Sequence, residues 1–380
     1  MLLVDRINLR EVRLPLKEPF RISSGVCTER RIFLLELHDA DGTSTWAECV
    51  AGEQPNYTAE TIDTAWYAIQ QWIAPRVLGV RFNGPEDVQA ELNRDLRGHP
   101  MAKAAVEMGC WGLAATAEGV PLTTRIGGTR DRVPTGISLG IQATPDALVL
   151  RARAALAQGY RKIKVKIAPG ADIEFVRAVR EALGTDVHLM ADANSAYRLR
   201  DAEHLAALDA FDLIMIEQPL GVDDLRQHAE LQRRLRTPIC LDESITSVDR
   251  AQDMIALGSG RIVNIKPGRV GGYSASRAIH DVCQQHKIPV WCGGMLESGV
   301  GRAYNVALAS LPNFTLPGDL SPSARYWDRD LVIPEWTMDA DGMVPVPRTH
   351  PGIGVTIDLD RVDALTARTT TLTAAMRAVA

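Results

Sequence analysis

From about residue 133 the chain alternates short apolar runs with helical segments, and this alternation limits the possible folds more than any other feature. One unit shows the form. An apolar run at 161–167 is followed by the turn Ala168-Pro169-Gly170, then by a helical stretch at 172–183 that Gly184 closes. Ile173, Val176, Val179 and Leu183 fall on one stripe of that stretch, as a helix lying on a sheet requires. Further runs at 133–139, 187–193, 213–218, 239–243, 262–266, 290–293 and 314–316 bring the expected strands to eight. Strands joined through helices pair in parallel, and eight such units close into a barrel.

The rest of the chain has a different texture. Residues 1–130 read as α+β, with strands expected at 7–14, 31–38 and 43–50. Ile62, Trp66, Ile69, Ile73 and Val77 then recur at helical spacing before Gly79, and a second helix is expected at 101–118 before Gly119. Beyond about residue 320 the alternation is lost. The expected division is therefore 1–130, a barrel over 131–320, and a segment 321–380 that returns to pack on the first part.

Composition removes several classes of function. The 380 residues are 46% hydrophobic and carry a net charge of −5. No dense basic run marks a nucleic-acid or membrane surface; Gln232-Arg233-Arg234-Leu235-Arg236 reads as the solvated face of a helix. No stretch of about 18 apolar residues could span a bilayer. Met1-Leu2-Leu3-Val4-Asp5-Arg6 meets charge too early for a signal peptide. The six cysteines are scattered without a Cys-x-x-Cys pair, so they are expected to be reduced thiols in a cytoplasmic protein, with no zinc site.

The chemistry lies in the charges on the barrel strands. A parallel barrel covers both faces of its strands, so apolar residues are expected throughout. This chain instead places Lys164 and Lys166, then Asp192, Glu217, Asp242 and Lys266, near the C-terminal ends of successive strands. From Lys166 onward they are spaced 26, 25, 25 and 24 residues apart. One βα unit of a barrel is about 25–30 residues long, so these side chains recur at one height and converge at the mouth. Strand parity agrees: Lys162, Lys164 and Lys166 share a face, as do Met190, Asp192 and Asn194, and Ile262, Asn264 and Lys266.

Asp192, Glu217 and Asp242 offer oxygen ligands only, which suits a hard cation, Mg²⁺ or Mn²⁺. No histidine lies near these strand ends, against zinc. Lys166 and Lys266 stand half a barrel turn apart, so they should face each other across the pocket. That geometry suits proton transfer at a carbon next to a carboxylate, with the cation stabilising an enediolate. Lys164 beside Lys166, and Arg269 near Lys266, are expected to disfavour the ammonium forms by like-charge repulsion. Glu243 could orient Lys266 by a hydrogen bond if the strand has ended before it.

These residues carry a resemblance. Lys164-Val165-Lys166, Asp192-Ala193-Asn194, Ile216-Glu217-Gln218-Pro219, Leu241-Asp242-Glu243-Ser244 and Asn264-Ile265-Lys266-Pro267-Gly268-Arg269 resemble the muconate-lactonizing subgroup of the enolase superfamily. That superfamily is a known case of a lysine base acting beside Mg²⁺ on an enediolate. Pro19-Phe20-Arg21, Trp46-Ala47-Glu48-Cys49, Gly98-His99-Pro100-Met101-Ala102-Lys103, Trp291-Cys292-Gly293-Gly294-Met295-Leu296-Glu297 and 312–319 are similar to the o-succinylbenzoate synthase / N-succinylamino acid (N-acylamino acid) racemase family.

The resemblance implies an α/β fold: a modified TIM (β/α) barrel with an N-terminal α+β capping domain completed by the C-terminal segment. It implies Mg²⁺ on Asp192, Glu217 and Asp242, with Lys166 and Lys266 as the acid/base pair. In members that racemise, an arginine follows the second lysine as Arg269 does here. Ser138, Gly294, Met295 and Leu296 match positions lining the acyl part of the substrate, and Asn194, two residues after Asp192, is a further substrate-binding candidate. Loops around Phe20 and 49–57 resemble those that close the pocket. Each of these has a plainer reading: a backbone-satisfied serine for Ser138, a turn for Asn194, core packing for Met295, an interface between domains for Phe20. The implied activity is N-succinylamino acid racemase and/or o-succinylbenzoate synthase, acting on a small-molecule carboxylate, and homo-oligomers are common in that family. A muconate-type cycloisomerase is the near alternative, and a non-catalytic binding barrel the distant one. One departure is Cys110-Trp111-Gly112-Leu113, where the family usually has Trp-Asp-Leu; Gly112 puts a packing contact in doubt and leaves the chemistry untouched.

Overall fold

The computed structural model describes residues 1–22 and 25–374; Arg21, Ile22 and Gly25 are described in their backbone only, and 375–380 of the expected C-terminal segment lie outside the described residues. The N-terminal part is built on a long hairpin, β1 (Arg6–Ile22) and β2 (Gly25–His38), followed by β3 (Ser44–Cys49). The first two strands run well past the expected limits, and the extension carries Phe20 toward the barrel mouth. Leu9, Leu35 and Ala47 are fully buried and face a helix, α1 (Pro100–Ala117). Gly109 lets α1 approach closely, since a Cβ there would lie 2.6 Å from Leu37 Cδ1. The helical spacing at 62–77 is present, but a π-turn at Ile69–Ile73 interrupts it.

Seven parallel strands follow: β4 (Gly136–Leu139), β5 (Lys162–Lys166), β6 (His188–Asp192), β7 (Ile216–Glu217), β8 (Ile239–Leu241), β9 (Ile262–Ile265) and β10 (Val290–Cys292). They lie side by side in sequence order, as consecutive right-handed βα units dictate. Together with the helices between them they form a modified TIM barrel. The expected eighth strand at 314–316 is not regular. Pro317 lacks the N–H that a ladder needs. Two isolated parallel bridges, Val290 with Phe314 and Thr135 with Gly318, link this segment to the strands at the two sheet edges instead. The run expected at 133–139 is likewise split: Arg132–Pro134 pairs antiparallel with Met343–Pro345, and Gly136 begins β4.

The barrel interior is apolar at its floor and charged at its mouth. Met190, Met215, Cys240, Ile262 and Trp291 form a buried cluster. Met190, Met215 and Cys240 each stand two residues before a carboxylate, so strand alternation keeps both on the inner face. A last strand, β11 (Thr366–Thr373), pairs antiparallel with β1 and completes the four-stranded sheet β11-β1-β2-β3. The six cysteines are free. Among the described residues no helix is long and apolar enough to cross a membrane.

Candidate active site

Strand order and register assemble the site. Lys166 pairs with Asp192, and Asp192 with Glu217. Asp242 follows the end of β8 and Lys266 the end of β9. Five neighbouring strands therefore present lysine, aspartate, glutamate, aspartate and lysine in turn, all buried.

Each end of this row is a closed ion pair. Lys166 Nζ donates to Asp192 Oδ2 at 2.6 Å and to Asn194 Oδ1 at 2.7 Å. Lys266 Nζ donates to Asp242 Oδ2 at 2.7 Å. Arg269 bonds the other oxygen of Asp242 and is fixed by Ile245 O at 2.8 Å and Asn264 O at 2.6 Å. In the centre Glu217 accepts from Asn264 Nδ2 at 2.7 Å and from Lys164 at 3.3 Å. Gln218 takes a left-handed turn and uses its side-chain oxygen to accept the backbone N–H groups of Asp242 and Ser244, which sets the chain beside the third carboxylate.

The three carboxylates crowd one another. Burial raises the Glu217 carboxyl well above its usual range, and the charges of Asp192 and Asp242 push the same way. Burial opposes ionisation of Asp192 as well, but Lys166 and Lys164 outweigh it and hold that carboxyl low. The expected like-charge repulsion does not decide the state of Lys164 or of Lys266. Burial disfavours the ammonium of Lys164, yet Asp319, Glu217 and Asp192 together hold its pKa well above the usual range. Asp242, Tyr57 and Glu243 do the same for Lys266. Carboxylates at contact distance win over a like charge further off. Lys162 is pushed down, chiefly by burial; it is fully buried, 4.1 Å over the Trp291 ring.

Glu243 does follow the strand end, since β8 stops at Leu241, but its hydrogen bond comes from Asn194 Nδ2 at 3.1 Å and not from Lys266. Its second oxygen is buried without a partner, and burial beside Asp242 pushes the carboxyl up to about 7. Ser138, paired with Lys164 in register, has a buried hydroxyl with no hydrogen-bond partner. Gly294 abuts Asp319, where a Cβ would lie 3.0 Å from the Asp319 carbonyl oxygen. Met295 and Leu296 are half-buried, and Leu296 holds a left-handed backbone with φ 56°. Phe20 lines a separate cavity of about 170 Å³ with Leu139, Gln142 and Arg325.

Two participants were not singled out from the sequence. Asp319 accepts from Lys164 at 2.5 Å and from Lys162 at 3.4 Å. Tyr57 reaches down from the N-terminal part: its hydroxyl donates to Asp242 Oδ1 at 2.9 Å and accepts from Lys266 Nζ at 3.1 Å, with the ring 4.5 Å from that ammonium. A cavity of about 310 Å³ opens here, lined by Tyr57, Glu243, Arg250 and Arg269.

Among the described residues no group of three or more His, Cys, Asp or Glu side chains is set to hold a metal ion as it stands. Asp192 and Asp242 are turned to their lysines, so one oxygen of each points at an ammonium group. The donor set nevertheless suits a hard cation: three carboxylates on adjacent strands, all buried, with the central one destabilised as an anion by burial and by the other two.

Comparison with known proteins agrees with this geometry. The family described as mandelate racemase / muconate lactonizing enzyme, N-terminal domain, matches residues 6–127, and that described as enolase C-terminal domain-like matches 147–362. An o-succinylbenzoate synthase of Geobacillus kaustophilus is 47% identical over 363 residues, 96% of each chain. An N-succinylamino acid racemase of an Amycolatopsis species is 48% identical over 364 residues, covering 95% of this chain and 96% of its own. A solved enolase-superfamily structure from Listeria innocua superposes with a TM-score of 0.95 at 40% identity, covering 98% of this chain and all of that one.

Proposed function

This chain belongs to the mandelate racemase / muconate lactonizing enzyme family of the enolase superfamily, and from that premise we propose that it removes the α-proton of a small carboxylate substrate, as an N-succinylamino acid racemase and/or o-succinylbenzoate synthase. The observation that carries the reading is the row itself, with one lysine at each end of three carboxylates on five adjacent strands.

Asp192, Glu217 and Asp242 are the residues that would hold Mg²⁺. When bound, the cation offsets the negative charge that builds on the substrate carboxylate as the proton leaves. Lys166 serves one face of the α-carbon and Lys266 the other. In racemisation one takes the proton and the other delivers its replacement. In the synthase reaction, a dehydration, Lys166 acts as base and then as acid, and the charge of Lys266 stabilises the anion. Lys164, tied to Asp319 and Glu217, supplies fixed positive charge near the carboxylates. Arg269 holds Asp242 in place, and Asn194 with Glu243 braces Lys166. Phe20 is assigned to a loop that closes over the pocket, and Ser138, Gly294, Met295 and Leu296 to the substrate's acyl side. The orphaned Ser138 hydroxyl supports this, because a buried hydroxyl without a partner costs stability unless a ligand satisfies it. Residues 1–130 act as the cap, 131–320 as the barrel and 321–380 as the segment that completes the cap.

The test is ¹H NMR in D₂O with Mg²⁺ and an N-succinyl-L-amino acid. Wild type should lose the α-proton signal and form the D-isomer. Lys166→Ala and Lys266→Ala should each abolish interconversion. No α-exchange with any N-acyl amino acid would remove the racemase reading; racemisation surviving both substitutions would remove the assignment of the lysines.

A further inference from the structure

Lys266 is gripped from two sides. The segment leaving β10 runs against its stem: a Cβ built on Gly293 would lie 2.6 Å from Lys266 Cε and 2.3 Å from Asn264 Oδ1. The loop after β3 covers its head, with Tyr57 on the ammonium. The same loop presses on the backbone just past the lysine, where a Cβ on Gly268 would lie 2.5 Å from Val50 Cγ2. These two segments are far apart in the chain and come from different parts of the fold.

One side chain joins them. Arg30, on β2, is only 6% exposed. Its guanidinium donates to Val50 O at 2.9 Å, to Ala51 O at 3.3 Å and to Leu296 O at 3.4 Å. Burying a guanidinium on backbone carbonyls is costly, and its planar fork fixes the relative placement of the groups it bonds. The third of these carbonyls belongs to Leu296, whose left-handed backbone is unfavourable for a bulky non-glycine residue and persists only where its surroundings hold it.

We propose that Arg30 is a positioning residue for Lys266: it staples the Val50–Tyr57 loop to the segment at 293–296, and so fixes the one acid/base group that both segments touch. The inference rests on the reading of Lys166 and Lys266 as bases for opposite faces. Lys166 is held by Asp192 and Asn194 instead, outside this clamp. Loosening Arg30 therefore weakens one face of the reaction and not the other.

The experiment measures α-proton exchange in D₂O with Mg²⁺, starting separately from each pure enantiomer of one N-succinyl amino acid. Lys266→Ala identifies the enantiomer whose proton Lys266 removes. Arg30→Met should slow exchange of that enantiomer about tenfold, as expected of a slightly misplaced base, and leave the other within about threefold. Arg30→Lys keeps the charge without the fork and should fall between wild type and Arg30→Met; it carries the test alone if Arg30→Met does not fold, as judged by thermal melting. Equal slowing of both enantiomers, or of neither, in a folded variant would overturn the positioning role and leave the proposed reaction standing. Absence of exchange in wild type would overturn both.

Discussion

Glu48 and Glu60 are buried carboxyls held mainly by N–H and O–H donors. Glu48 accepts from Ser298 N and Oγ and from Gly301 N, joining the capping sheet to the start of the helix Gly299–Ala309. Burial pushes its carboxyl up to about 8, and that of Glu60 up to about 7. The folded chain thus keeps protons that the unfolded chain has released above its ordinary value of 4.5. Their contribution is complete at low pH and fades as pH rises through the folded values. We expect the melting temperature of wild type to fall between about pH 5 and pH 8 more steeply than that of Glu48→Gln. The comparison is of slopes, since the lost acceptor adds a constant offset; parallel profiles would show that Glu48 does not titrate in this window. At this scale the sequence revealed what strand spacing can reveal. Charges at a repeat of about one βα unit stand out against apolar strands, which is why all five members of the row were legible. Tyr57 was legible only as part of a loop, because loops lack the periodicity that places a side chain. Asp319 meets Lys164 across 155 positions, a contact that no local pattern encodes.

Helices and strands were legible in kind, less so in extent. Regular pairing in the barrel stops at or before the charged residues, at Leu241 and Ile265, since the chain there turns to aim side chains into the mouth. Pro317 turned an apolar run into a pair of bridges, and the hairpin β1–β2 outgrew its apolar core because hydrogen bonding to a partner strand continues where burial does not. Gly112 shows how a departure from a family pattern is absorbed within an element. A Cβ there would lie 2.5 Å from the Tyr304 hydroxyl and 2.8 Å from Thr45 Oγ1, so neighbours fill the space that a larger residue would need. Gly112→Ala should destabilise the protein by about 1–3 kcal/mol in denaturant unfolding, the range for overpacking a tight site. A neutral result would mean that Tyr304 and Thr45 can withdraw freely.

For the molecule as a whole, Mg²⁺ should act as a ligand of the folded state. Neutralising three crowded carboxylates, it should stabilise by about 2.7 kcal/mol at about a hundred times its Kd. The melting temperature should rise with Mg²⁺, return on chelation, and not respond in Asp242→Asn. A wild type indifferent to Mg²⁺ would mean that the lysines keep the carboxylates.

The outer strand β11 has one more consequence. It pairs with β1, and the Thr369 hydroxyl donates to Leu9 O, 360 positions away in the chain. On a ribosome the first strands of the capping sheet emerge early and must wait, with an unpaired edge, until the entire barrel has been made. The barrel has no such wait, because its neighbouring strands are neighbours in sequence. Synthesis therefore orders assembly: barrel first, complete cap last. Tyr57 and Arg30 belong to the part of the molecule whose sheet is completed last.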